Sequence, residues 1–410
     1  MAFGKDGVER CRADFPAVGR TLDGRTLAYL DGPAGTQVPR QVIDAVATYY
    51  QTCNANTHGA FVTSRESDEM ILAAREAVAA FLGASSWREI SFGANMTTLN
   101  FALSRALVRE MKPGDEIVIT ELDHEANRGP WLNLREQGVV VREVGLRREG
   151  VLDVDDMRRK VTDRTKLVAM GYASNALGTV NDVSLARELA RSVGARLLVD
   201  AVHYAPHFSL DVEALGADFV LCSAYKFYGP HVGILYTRPG LLAQLRTDRL
   251  RTQDQEAPYR IETGTLNHAA IAGVRAAIEY IASWGDGDTR RARLVSAMEG
   301  IAAHEHALAR HYWENVRRLA GVTVWGADFS SARRAPTISI TVAGRHPSEV
   351  AGALGLEGVL VWDGDFYAAR AMEVLGLAER GGVLRTGISM YNTRDDVERL
   401  LAGLAKVTPR

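Results

Sequence analysis

The sequence predicts an α/β protein with a large domain built on a mostly parallel sheet and a smaller α+β domain. Three observations carry this. Short runs rich in Val, Ile and Leu alternate with segments of helical spacing, and runs apolar on both faces suit parallel strands covered by helices on both sides. After about residue 285 the alternation gives way to a long charged helical stretch. At 410 residues, 47% of them hydrophobic, the chain can bury one large core or two.

In chain order, Ile90-Ser91-Phe92-Gly93-Ala94-Asn95-Met96-Thr97-Thr98 reads as a strand, a glycine turn and a helix start. Strands are predicted at Glu116–Glu121, Val139–Val144, Leu167–Gly171, Arg196–Asp200 and Phe219–Ser223, with a helix at Val183–Val193. Strands alternating with helices imply right-handed crossovers. A helix at Ala269–Ala282 follows the loop Ile261–His268. Asp288–Leu319 reads as one long helix. Strands Thr337–Val342, Val359–Trp362 and Val383–Ser389 then alternate with helices Pro347–Leu354 and Thr393–Leu404. The expected division is 21–284 for the large domain, with 1–20 and 285–410 forming the small one, and the weakest linker is Trp284–Asp288.

The formal net charge is −2 with both signs interspersed, which argues against nucleic-acid or membrane-surface partners. No apolar run is long enough for a bilayer span, and the N-terminus lacks the apolar stretch of a secretory signal. Cys11, Cys53 and Cys222 are scattered and odd in number, so neither a disulfide framework nor a metal site is expected and a cytoplasmic setting is the simplest reading. No Gly-x-Gly-x-x-Gly follows a strand, which disfavours a plain nucleotide-binding fold.

Asp200 ends one predicted strand, and Lys226 follows another. Ligands of open α/β sheets gather at such carboxyl ends. A lysine and a carboxylate there are what pyridoxal phosphate (PLP) needs. The lysine bonds to the aldehyde, and the carboxylate keeps the pyridine nitrogen protonated so that the ring accepts electrons. A lone loop lysine is ordinarily just solvated, so the surrounding residues decide.

Asn95, Met96 and Thr97 open the helix after the glycine turn, where free N–H groups suit a phosphate; a plain N-cap is the alternative. His124 can stack on the ring and move protons near neutral pH, or be structural. Asn175 can donate to the phenolic oxygen or form an Asx turn. His203 can reach that oxygen or the phosphate, or stand at the solvent edge. Ser223 offers a further phosphate donor, and Thr265 lies in a loop able to supply another or to serve only as a turn. Arg385 suits a substrate carboxylate, although a strand arginine commonly pairs with a surface acid. Each signal is weak alone, but their order along the chain is specific.

On these residues the chain resembles the class V aminotransferase superfamily of fold-type I PLP enzymes, in its cysteine desulfurase-like branch, from about Tyr29 to Leu404. Tyr29–Thr36 is similar to that branch's first strand, Asn54–His58 to its segment beside the substrate pocket, and Met390–Thr393 to the segment after its carboxylate-binding arginine. The resemblance implies a seven-stranded, mostly parallel sheet. It assigns Lys226 as the Schiff-base lysine, Asp200 as the ring-nitrogen partner and His124 as the stacking, proton-transferring histidine. Asn175 and His203 fall at the cofactor oxygen, where the second is usually Gln. Ser223 matches a phosphate ligand, and Tyr225 stands where the family usually has His. Thr265 matches a threonine that crosses to the partner subunit's phosphate, implying a homodimer with shared active sites. Asn56, His58 and Arg385 fall to the substrate.

One departure bears on the reaction. Desulfurases of this branch carry a loop cysteine before the arginine strand, but Trp362–Met372 contains none, and no cysteine follows Cys222. A persulfide mechanism needs a thiolate beside the substrate sulfur. Strand alternation turns Cys222 away from the ligand, leaving Cys53 as the one stand-in. The expected reaction is therefore carbon–sulfur cleavage of an amino acid such as cysteine or an S-substituted cysteine. Amine transfer, epimerisation and decarboxylating oxidative deamination are alternatives on the same lysine, and a non-catalytic PLP-binding or sulfur-carrier scaffold is the alternative of another class. Trp362, Phe366 and Tyr367 suggest a large or apolar substrate side chain, or core packing of the small domain.

Overall fold

The computed structural model describes residue 3 and residues 5–329 and 333–408. The N-terminal part holds α1 (Lys5–Asp14), β1 (Ala28–Tyr29), α2 (Arg40–Thr52) and α3 (Val62–Leu82). Then come β2 (Ile90–Gly93), α4 (Met96–Val108), β3 (Glu116–Thr120), β4 (Val140–Val144), β5 (Thr165–Gly171), α5 (Val183–Ser192), β6 (Arg196–Asp200), β7 (Phe219–Ser223) and β8 (Gly233–Thr237). These strands form one seven-stranded sheet in the order β2-β8-β7-β6-β5-β3-β4. Only β8 runs antiparallel to its neighbours, so the sheet is mostly parallel as expected.

Period-two alternation divides the sheet between two cores. Ile117, Ile119, Leu167, Ala169, Leu198 and Leu221 pack on Leu99 and Leu103 of α4. Val118, Val168, Met170, Val199, Val220 and Cys222 face a second cluster that includes Ala74, Val78 and Phe81 of α3. Strands buried on both faces are what parallel pairing demands.

Beyond α6 (His268–Ala282) and α7 (Arg290–Val316), a four-stranded sheet forms from β9 (Val322–Trp325), β10 (Thr337–Val342), β12 (Trp362–Gly364) and β13 (Val383–Gly387), in the order β9-β10-β13-β12. Helices α8 (Pro347–Leu356) and α9 (Arg394–Val407) cover it. The strand predicted at Val359–Trp362 is in fact two. Strand β11 (Val359–Leu360) pairs in parallel with β1, and the chain then changes sheets to place β12 beside β13. The stretch expected to be the weakest linker is packed at its start and exposed after it: Trp284 is buried and a β-carbon on Gly285 would lie 2.0 Å from the Arg293 carbonyl, whereas Asp286, Gly287 and Asp288 are exposed.

The hydrophobic clusters also cut across the expected division at residue 20. Val8, Cys11, Phe15 and Val18 share the core beneath the large sheet, whereas Ala28 and Leu30 belong to the core of the small sheet. Arg12 fastens α1 to the start of α9, donating to the Tyr391 carbonyl at 2.7 Å and to Asp396 at 2.8 Å.

One buried ion pair fixes the Glu262–Leu266 loop. Arg75 meets Glu262 bidentately at 2.7 Å on both branches, and Glu262 also accepts from the Phe92 amide at 2.6 Å. Removing one partner of a buried pair strands the other charge. Glu262→Gln is expected to lower stability by about 3–5 kcal/mol, measured as a fall in the midpoint of urea unfolding.

Candidate active site

The carboxyl ends of β5, β6 and β7 open into a cavity of about 80 Å3, lined by Asn95, Met96, Thr97, His124, Asn175, Asp200, His203, Ser223, Tyr225 and Lys226. All ten were expected from the sequence to stand together.

Strand β7 delivers Ser223 to the cavity and sends Cys222 into the core behind it. Ser223 Oγ accepts from the Met96 amide at 3.3 Å, tying this strand end to the first turn of α4. Asn95 caps that helix by accepting from Thr98 N at 2.9 Å. The turn comes close because Gly233 has no side chain: a β-carbon there would lie 2.3 Å from the Asn95 carbonyl carbon. Unpaired N–H groups at a helix start favour an anion.

Lys226 follows β7 on a single 3-10 turn and is 8% exposed. Its Nζ donates to the Pro33 carbonyl and, at 3.1 Å, to the Ala34 carbonyl. Burial and then the nearby Arg385 charge push its pKa down to about 7, against the pull of Asp31 and Asp200. Asp200 is pushed up to about 6 by burial, and its Oδ1 accepts from Val202 N at 2.9 Å. His124 is pushed down to about 4, chiefly by burial and then by Lys226 and Arg385. Its Nδ1 accepts from the Ala126 amide at 2.9 Å. The neutral ring therefore carries its proton on Nε2, as a donor. His203 shares a 2.9 Å hydrogen bond from Nε2 to Thr337 Oγ1 and is held neutral by burial, with Nδ1 buried and unpartnered among the described residues. Tyr225 stacks on His231, and its ring centroid lies 4.9 Å from Lys226 Nζ.

Arg385 stands beside this cavity and is 2% exposed. It donates to Asp31 Oδ1 at 2.9 Å and to the Asn175 carbonyl at 3.3 Å, and the Phe366 ring covers its guanidinium. Asn175 Nδ2 donates to the Phe366 carbonyl at 2.9 Å, while its Oδ1 is buried without a partner. Asp31 was not singled out from the sequence. It is pinned by a bridge to Gly387, where a β-carbon would collide with Pro33 at 2.0 Å. Asp123 was also missed: it lines the cavity, accepts from Gly171 N at 2.6 Å and is pushed up to about 7 by burial. The adjacent histidine drew attention away from it, although an acid just past a strand end repeats the signal of Asp200.

Three expected residues do not reach this cavity within one chain. Asn56, His58 and Thr265 gather instead in a second, open cleft between α3 and the Glu262–Leu266 loop. His58 pairs with Asp68 there, and Thr265 is exposed. Cys53 lines a third groove, away from Lys226. Among the described residues, no cluster of three His, Cys, Asp or Glu side chains is arranged to hold a metal ion.

The sequence profile described as Aminotransferase class-V matches residues 28–400. The chain belongs to this family. It is 33% identical to the cysteine desulfurases of Serratia proteamaculans and Salmonella typhimurium, over 98% of this chain and 98% of each relative. In fold it is similar to the cysteine desulfurase of Thermococcus onnurineus in its apo form, with a TM-score of 0.86 and 28% identity over 98% of both chains. It is also similar to the Escherichia coli cysteine desulfurase CsdA, with a TM-score of 0.85 and 28% identity over 97% of this chain and 98% of that one. Membership makes this chain a PLP-dependent enzyme. The donor set fits the group: a helix start for phosphate, a buried carboxyl for a ring nitrogen, unpartnered Asn175 Oδ1 and His203 Nδ1 for polar ring substituents, and a lysine with a depressed pKa for the aldehyde.

The lysine's titration is testable in the cofactor-free protein. A depressed pKa means that the amine is protonated below about 7 and free above it. Acetic anhydride labelling of Lys226, followed by mass spectrometry, is expected to rise with pH through a midpoint near 7; a midpoint at the ordinary lysine value of about 10 would contradict it.

Proposed function

We propose that this chain cleaves the carbon–sulfur bond of cysteine or an S-substituted cysteine, releasing the sulfur fragment together with pyruvate and ammonia. The observation that carries the reading is one cavity uniting a partly deprotonated Lys226, a buried Asp200 and a neutral His124 that offers a proton from Nε2. Relatives named as cysteine desulfurases support sulfur chemistry. The absence of any cysteine after Cys222, and of any cysteine lining the Lys226 cavity, favours elimination over transfer to an enzyme thiol.

Bound in this cavity, pyridoxal phosphate supplies an aldehyde for the substrate amine and a ring that takes up negative charge from the α-carbon. Asp200 holds a proton at the ring nitrogen. The first turn of α4 and Ser223 hold the phosphate, and Arg385 takes the substrate carboxylate with charge-assisted hydrogen bonds. Lys226 removes the α-proton. The β-carbon–sulfur bond then breaks with its electron pair on sulfur, and His124 Nε2 protonates that sulfur. Water completes the release of pyruvate and ammonia.

The same proposal covers assembly. Asn56, His58 and Thr265 share one open cleft, and Ile43, Tyr50, Phe61 and Val62 of the neighbouring helices are exposed. We read this surface as the contact of a homodimer in which the cleft meets the partner subunit's cavity. The three free cysteines suit a reducing, cytoplasmic compartment.

Holoenzyme given cysteine and S-alkyl cysteines is expected to yield pyruvate and ammonia, and Lys226→Ala to yield neither. His124→Ala should lower kcat by about 10²–10⁴-fold, the usual worth of one acid–base group. If neither product forms while an amino acid and a keto acid exchange amines, the lyase reading falls and the aminotransferase reading replaces it.

A further inference from the structure

We propose that Phe366 and Tyr367 set the side-chain specificity of this site, selecting amino acids with aromatic or bulky apolar side chains over those as small as cysteine. The inference rests on the reading that Arg385 takes the carboxylate and His124 faces the reacting end of the substrate. The Phe366 ring lies 3.9 Å from the guanidinium carbon of Arg385, and the Tyr367 ring lies 5.5 Å from that of His124, inclined by 32°. Two consecutive rings thus touch the two residues that hold opposite ends of the substrate. A side chain leaving the α-carbon between them runs along both.

The backbone is built to keep the rings there. Phe366 and Tyr367 adopt φ of 56° and 58°, the left-handed region that bulky residues avoid. Hydrogen bonds on both sides of the site hold this conformation. The Phe366 carbonyl accepts from Asn175 Nδ2 at 2.9 Å, the Tyr367 carbonyl accepts from Glu125 N at 2.7 Å, and Tyr367 N donates to Asp365 Oδ1 at 2.8 Å. Phe366 is partly buried against the core, but core packing does not account for Tyr367, which is 72% exposed, or for Trp362, opposite Arg385 in the strand pairing, which is 55% exposed. Exposed aromatic surface beside Arg385 and His124 suits the binding of apolar groups.

Calorimetric titration of the holoenzyme with 3-phenylpropanoate and with propanoate tests this without turnover. Wild type should bind the phenyl compound at least about tenfold more tightly, the discrimination a hydrophobic pocket supplies. Phe366→Ala, or Tyr367→Ala should the first variant not fold, should shrink that ratio to near unity. Equal affinities in wild type, no binding of either compound, or a variant that keeps the full ratio would overturn the assignment. Neither probe carries an amine or a sulfur leaving group. A preserved ratio without pyruvate from S-benzylcysteine would therefore count against the proposed reaction and in favour of this inference.

Discussion

Taking the ε-amine of Lys226 out of water beside a second buried cation is the constraint around which this site is arranged. A protonated amine so close to Arg385 is costly in a medium of low dielectric constant. The chain answers in three ways. It supplies the Pro33 and Ala34 carbonyls as acceptors, sets the Asp31 carboxylate against Arg385, and ends β6 in Asp200. The remaining imbalance lowers the affinity of the amine for its proton, which is the property a nucleophile and a base both require. The same field keeps His124 neutral, so one local charge arrangement prepares a proton acceptor and a proton donor in the same space.

The parts of this design that lie within one strand and its following turn were legible in the sequence. Asp200, Ser223 and Lys226 are fixed by strand periodicity and the switch to a turn, and His124 and Asn175 by the ends of their own strands. What depends on distant packing was not legible. Asp31 and Arg385 meet across 354 positions, and nothing in the Tyr29–Thr36 stretch announces that its acid will neutralise an arginine. Strand β8 was missed although its five buried residues carry the same two-sided apolar signal as β7. The break between β11 and β12 escaped because an apolar run does not say which sheet it joins. The left-handed pair at Phe366 and Tyr367 escaped because no glycine or asparagine marks it.

The separation of Asn56, His58 and Thr265 from Lys226 is a different kind of result. The residues were expected in one site and instead form a coherent group elsewhere, with the loop that carries Thr265 braced by the Arg75–Glu262 pair. Bracing of that kind is unnecessary for a free surface loop and suits one that must present a side chain at a fixed position. The two clefts of a single chain thus carry complementary parts of the expected residue set.

The tie between Asp31 and Arg385 also bears on how the molecule is made. Because β13 follows every strand of the large sheet in chain order, the nascent chain can raise that sheet and its lysine pocket before the guanidinium arrives. Until then Asp31 has Lys226 as a neighbouring cation but lacks its Arg385 partner. Completion of the site thus depends on docking β13 onto a segment 354 positions earlier in the chain.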